Sequence, residues 1–138
     1  MLETPRPAAA CPVRARARII AQAGSLEAAL ASGALPATVS VSLSEGLVLG
    51  LLKQGVRKYF AIFGHGSTDL GEVLRLYEAE GVTRTINCRN EVEMAHAATA
   101  LSWQYGEMCA AVTSIGPGAL QAMAASLAAS SNGVGVYH

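Results

Sequence analysis

The chain has 138 residues, with ten lysines and arginines against ten aspartates and glutamates, so its formal net charge is zero, and 51% of its residues are apolar. That length and balance suit one domain with a sizeable core, exclude disorder of the whole chain, and leave no overall field to attract nucleic acid. The cysteines, Cys11, Cys88 and Cys109, are odd in number, widely spaced and form no C-x-x-C pair, which argues against a disulfide framework or a zinc site and for buried free thiols.

The start of the chain is lopsided: Arg6, Arg14, Arg16 and Arg18 stand against Glu3. That composition also marks organelle transit peptides, a minority reading. No apolar run approaches the ~18–20 residues that cross a bilayer, and the uninterrupted apolar core of a secretory signal is missing, so a cytoplasmic protein with no membrane partner is expected. Residues 1–12, with Pro5, Pro7 and Pro12, are expected to form a loose arm. A helix is expected over 13–31, broken at Gly24 and closed by Gly33 and Pro36. Whether its Ile19, Ile20, Leu26 and Leu30 pack on the domain is open at this point. Residues 1–41 thus form a partly helical extension and 42–138 the domain proper.

Ser42 followed by Glu45 has capping-box spacing, and Leu43, Leu47 and Leu51 or Leu52 give a helix an apolar face that stops at Gly55. Residues 59–63 predict a buried strand that ends in the turn Gly64-His65-Gly66-Ser67. Leu70, Val73, Leu74 and Tyr77 recur at helical spacing up to Gly81, and 82–87 predict a second strand. Asn90 then caps a helix that opens at Glu91 and runs to Tyr105, with Glu93 reaching back to the cap. Ala95, Ala97, Ala98, Ala100 and Leu101 make this helix apolar nearly all round, which predicts burial, and His96 is expected to be a satisfied core histidine. Residues 108–112 predict a third strand, the turn at 115–118 a helix through about Ala129, and 134–137 a fourth strand after Asn132-Gly133.

Strands alternating with helices of this length predict an α/β fold with a parallel sheet and helices on both faces. In such sheets ligands gather beyond the carboxyl ends of the strands, where 64–67, 90–91 and 113–118 all fall. Spacing alone allows Glu91 and Glu93 merely to favour the positive end of a helix dipole, worth roughly 0.3–1 kcal/mol. His65 is read equally as a ligand contact or an exposed turn residue. A dinucleotide fingerprint is a poor match, because Asp69 stands where its third glycine belongs.

Three motifs in this order, Glu91 with Ala95-His96-Ala97-Ala98, then Thr113-Ser114-Ile115-Gly116-Pro117-Gly118-Ala119, and before both Phe63-Gly64-His65-Gly66, resemble the N-terminal, pyrimidine-binding domain of thiamine-diphosphate enzymes of the acetolactate synthase superfamily. The wording of the last two, Thr113 to Gly118 and Phe63 to Gly66, is nearest to cyclohexanedione hydrolase-like members. The resemblance covers 42–138 and implies that Glu91 is the catalytic carboxylate, hydrogen-bonded to N1′ of the cofactor's aminopyrimidine so that its 4′-imino group can act as base. It implies cofactor contacts from Glu91, Thr113, Ser114, Gly116, Pro117 and Gly118, substrate contacts from Gly64, His65 and Gly66, and no metal ligand in this chain. The diphosphate and Mg²⁺ would be held by a C-terminal domain or subunit carrying G-D-G-x and a downstream asparagine, which this sequence does not contain. The resemblance further implies a homo-oligomer, chemistry that cleaves or forms a C–C bond next to a carbonyl, and a fold truncated at the fourth of about six strands. Its rivals are a non-catalytic assembly fragment of the same fold and a Rossmann-type nucleotide-binding module.

Overall fold

The computed structural model describes residues 11–138; all but the last two residues of the expected loose arm lie outside that range. Two short helices, α1 (Pro12–Ala23) and α2 (Leu26–Ala31), precede α3 (Leu43–Lys53), β1 (Lys58–Ala61), α4 (Thr68–Ala79), β2 (Arg84–Asn87), α5 (Glu91–Tyr105), β3 (Cys109–Val112) and α6 (Pro117–Ser131). The strands pair in parallel in the order β2-β1-β3, with Phe60 opposite Ile86 and Ala111. Because side chains alternate across a strand, Tyr59 and Ala110 face one core with α1 to α4, while Phe60, Cys109 and Ala111 face a second core with α5 and α6. The sheet is therefore covered on both faces, as an α/β fold with parallel strands requires.

Gly24 takes a left-handed conformation, φ 83°, and its N–H donates to the Ala21 carbonyl, which ends α1 where the sequence predicts a break. The open question about the extension is answered by burial. Ala17 and Ile20 of α1, and Leu26 and Ala29 of α2, join the core with Val48, Tyr59 and Leu74. The arginines of α1 find acids: Arg14 and Arg18 reach Glu80, and Arg16 reaches Glu45.

Glu45 also corrects the expected orientation of α3. The Ser42 hydroxyl accepts from the Glu45 N–H at 3.2 Å, but the Glu45 carboxylate does not return to the cap. It is fully buried, held by the Arg16 guanidinium and by the Tyr77 hydroxyl at 3.0 Å. With Glu45 turned inward, Val48 and Leu52, three and seven residues on, follow it into the core. Leu43 and Leu47 are left 92% and 49% exposed, so the expected apolar stripe is not the buried face.

The fourth strand is reduced to one parallel bridge, Ala110 with Tyr137. Asn132, Gly133 and Val134 donate their N–H groups to the last carbonyls of α6, at Ala129 and Ser130, so the chain is spent closing that helix. Only at Tyr137 does it reach β3, donating to the Cys109 carbonyl and accepting from Ala111 N–H.

Candidate functional site

Asn90 is extended, φ −148° and ψ 161°, and its side-chain oxygen accepts from the Glu93 N–H at 2.8 Å. This cap makes Glu91 the first residue of α5, as expected. Glu93 is exposed and, among the described residues, its carboxylate makes no bond back to the cap. α5 is also less enclosed than its composition suggests. Met94, Ala95, Ala98 and Thr99 are buried, but Val92, Ala100, Trp103 and Tyr105 lie outward, and His96 is exposed rather than a core histidine. One face of α5 meets α6 and the sheet, and the other meets nothing among the described residues, because alanines on both faces carry no directional preference.

Between β1 and β3 the connections depart in opposite directions. The turn after β1 leads to α4 on one face of the sheet, and the turn after β3 leads to α6 on the other. That divergence opens a crevice at the carboxyl ends of the strands, where ligands bind in such sheets. The two turns touch across it. The Ile115 N–H and the Ser114 hydroxyl both donate to the His65 carbonyl at 3.4 Å, and a Cβ added to Gly64 would lie 2.7 Å from the Ser114 Cβ. Gly64 is thus required by this close approach. The Ser67 hydroxyl, nearly buried, accepts from Gly64 N–H and donates to the Gly64 carbonyl, which stiffens the first turn. The His65 side chain is exposed on the rim.

Gly116 ends the second turn with φ 80° and ψ −135°, a conformation side chains rarely adopt, and Pro117 starts α6 at the position where a missing N–H costs nothing. One residue on, Gly118 lies against Glu91. A Cβ placed on Gly118 would collide with Glu91 Oε1 and approach its Cδ to 3.0 Å. The half-buried Glu91 carboxylate accepts no hydrogen bond and forms no ion pair among the described residues. Glu91 and Gly118 are therefore in contact, with Gly116 and Pro117 next to Gly118 in the chain, and Ser114 separately meets Gly64 and His65. Thr113 points elsewhere, its hydroxyl 3.5 Å from His138 Nε2.

A cavity of about 740 Å³ lies away from Glu91. It is an apolar groove beside β3, lined by Leu43, Leu47, Leu51, Tyr59, Leu70 and Met123 among others, and it touches the expected site only at Gly66 and Thr113. The Tyr59 hydroxyl is buried without a partner, and burial pushes its acidity far below that of an ordinary tyrosine. Sequence reasoning missed this groove, because it depends on which face α3 turns inward. It also missed the Arg16–Glu45–Tyr77 network, whose members lie 29 and 32 residues from Glu45. Among the described residues no group of three or more His, Cys, Asp or Glu could hold a metal ion, and no helix is long and apolar enough to cross a membrane.

Comparison with known proteins bears on this site. Residues 41–138 match the family described as thiamine pyrophosphate enzyme, N-terminal TPP binding domain. Two curated relatives, each a 3D-(3,5/4)-trihydroxycyclohexane-1,2-dione hydrolase from a strain of Clostridium perfringens, are 40% identical over 78 residues. That stretch covers 54% of this chain and 12% of each relative.

Proposed function

Since the chain belongs to the thiamine pyrophosphate enzymes through their N-terminal TPP binding domain, we propose that Glu91 is the carboxylate that meets the pyrimidine end of this cofactor, also called thiamine diphosphate. The observation that carries this reading is the contact between Glu91 and Gly118: a carboxylate without hydrogen bonds among the described residues, held by a helix start on one side and a missing side chain on the other. The residues fit the group. A ring nitrogen needs an acceptor or donor not already spent on the protein, and a charge-assisted bond of this kind contributes roughly 1.5–3 kcal/mol.

The cofactor, when bound, supplies a thiazolium carbon acid that adds to carbonyl carbons once deprotonated. Glu91 shares a proton at N1′ of the pyrimidine and so sets which tautomer faces that carbon. Ser114, Gly116, Pro117 and Gly118 shape the wall beside it, while Thr113, whose hydroxyl turns toward His138, only precedes them in the chain. Gly64, His65 and Gly66 supply the rim that a substrate meets. The overall reaction is cleavage or formation of a C–C bond next to a carbonyl, and the similarity to trihydroxycyclohexanedione hydrolases supports a polyhydroxylated cyclic diketone as substrate class. Mg²⁺ and the diphosphate fall to a C-terminal domain or partner subunit, and the assembled enzyme is a homo-oligomer.

The test uses the assembled, cofactor-loaded enzyme and follows exchange of the cofactor C2 proton for deuterium by NMR. Glu91→Gln keeps size and position but cannot share the proton in the same sense, and exchange is expected to slow by about 10²–10⁴-fold. Glu93→Gln, on the exposed side of the same turn, should leave exchange unchanged. Fast exchange in Glu91→Gln with slow exchange in Glu93→Gln would transfer the role to the wrong side of the helix and sink the assignment.

A further inference from the structure

Gly118 is a glycine for which the backbone gives no reason. It occupies the second position of α6 and is not among the glycines with positive φ, so an alanine would fit its backbone and favour the helix. Gly116, two residues earlier, is the opposite case: its φ of 80° demands glycine, yet an added Cβ there would meet nothing within 4 Å. What stands in the space of the absent Gly118 side chain is the end of Glu91, with Oε1 in collision range, Cδ at 3.0 Å and Cγ at 3.5 Å of an added Cβ.

We infer that Gly118 is a positioning residue for Glu91, and that its missing side chain is the space in which the carboxylate is held. The carboxylate has no hydrogen bond or ion pair among the described residues to fix its direction, so the packing surface at Gly118 takes that part. Glu91 is half-buried and its carboxylate ends a side chain with three rotatable bonds, so a methyl group at 118 does not break the fold. It turns the carboxylate aside. The signature is therefore a separation of effects: Gly118→Ala displaces Glu91 while stability is kept, whereas Gly116→Ala strains the backbone and leaves Glu91 where it is. The consequence for the cofactor rests on the reading of Glu91 proposed above; the placement itself does not.

The placement is read in crystals of the 138-residue chain, as the contact of the Glu91 carboxylate with the Cα of residue 118, alongside thermal melting in solution. In Gly118→Ala the contact is expected to vanish with the melting temperature equal or raised. In Gly116→Ala the contact should persist with the melting temperature lowered. The double variant Glu91→Ala/Gly118→Ala should melt no lower than Glu91→Ala, since the added methyl then meets no carboxylate. Persistence of the contact in Gly118→Ala, or loss of stability that the double variant does not relieve, overturns the inference. In the assembled, cofactor-loaded enzyme, a displaced carboxylate should slow C2-proton exchange by about 10²-fold, the usual loss for a misplacement near 1 Å. A lost contact with unchanged exchange leaves the placement standing and removes Glu91 from its proposed role.

Discussion

Cys11 and Cys109 stand at opposite ends of the range of exposure. Cys11 is exposed, Cys88 half-buried and Cys109 fully buried, all three free, so the expectation of buried thiols holds for Cys109 alone. Burial pushes the Cys109 thiol up to about 11, and its Sγ–H donates to the Ala98 carbonyl at 3.4 Å. Cys88 is raised too, first by burial and then by the charge of Glu93. Since the thiolate is the reactive form, about a thousandth of Cys109 is reactive at pH 8 even before access is considered. A thiol reagent should label Cys11 first, Cys88 more slowly and Cys109 only on unfolding, as mass spectrometry of a timed reaction can show. Equal rates at Cys11 and Cys109 would contradict the packing of β3 against α5. The same principle of environment over identity separates the acidic residues. Glu45, Glu91 and Glu93 all sit in the first turn of a helix, yet one is buried and paired, one packed against a glycine, and one in solvent.

The helix α1 is attached by charge as well as by apolar contact, and the two attachments differ in depth. Arg16, 17% exposed, holds a carboxylate with no exposure at all. Arg16→Ala would leave Glu45 buried with only the Tyr77 hydroxyl, and breaking such a pair from one side costs about 3 kcal/mol. Denaturant titration should show that loss, while Arg16→Ala combined with Glu45→Leu should recover most of it. A double variant no more stable than Arg16→Ala would mean that the pair is not what the network depends on. The outer attachment is sensitive to acid. Arg18 and then Arg14 hold the Glu80 carboxyl at about 2, below its ordinary 4.5. A carboxyl lowered on folding contributes stability above its unfolded value and loses it as pH falls through the folded one. The contribution of Glu80 should be complete above about pH 4.5 and vanish between pH 4.5 and pH 2. Replacing Arg14 and Arg18 by alanine should flatten that limb of the pH–stability curve, and an unchanged limb would place the acid sensitivity elsewhere.

Across the whole molecule apolar surface is left uncovered on two sides. Leu120, Met123 and Leu127 form a stripe on α6, 61–67% exposed, and Trp103 on α5 is 63% exposed. Leu43 and Leu47 flank the groove beside β3, whose outer edge carries, among the described residues, only the bridge to Tyr137. Uncovered apolar faces and a strand edge of this kind draw chains together. The isolated chain should therefore self-associate with concentration in sedimentation experiments, and Leu120→Lys with Leu127→Lys should shift it toward monomer without lowering its melting temperature. A monodisperse monomer at high concentration would count against these faces being interfaces.

The alternation of strand and helix, the caps at Asn90 and Ser42, the stops at Gly24 and Gly55, and the motif order were legible in the sequence because each depends on residues within a few positions of one another. Local chemistry decides where a helix begins, and it placed Glu91 at the start of α5. It does not decide which side of a helix turns inward when both sides carry leucine or alanine. For α3 that was settled by Arg16 and Tyr77, 29 and 32 residues from Glu45, and for α5 by contact with α6. The fourth strand, expected from an apolar run, was given up to the closing of α6. The approach of Glu91 to Gly118, across 27 residues, likewise belongs to tertiary structure alone: it exists because α5 and α6 pack side by side on one face of the sheet, and no periodicity in the chain records which atoms then meet.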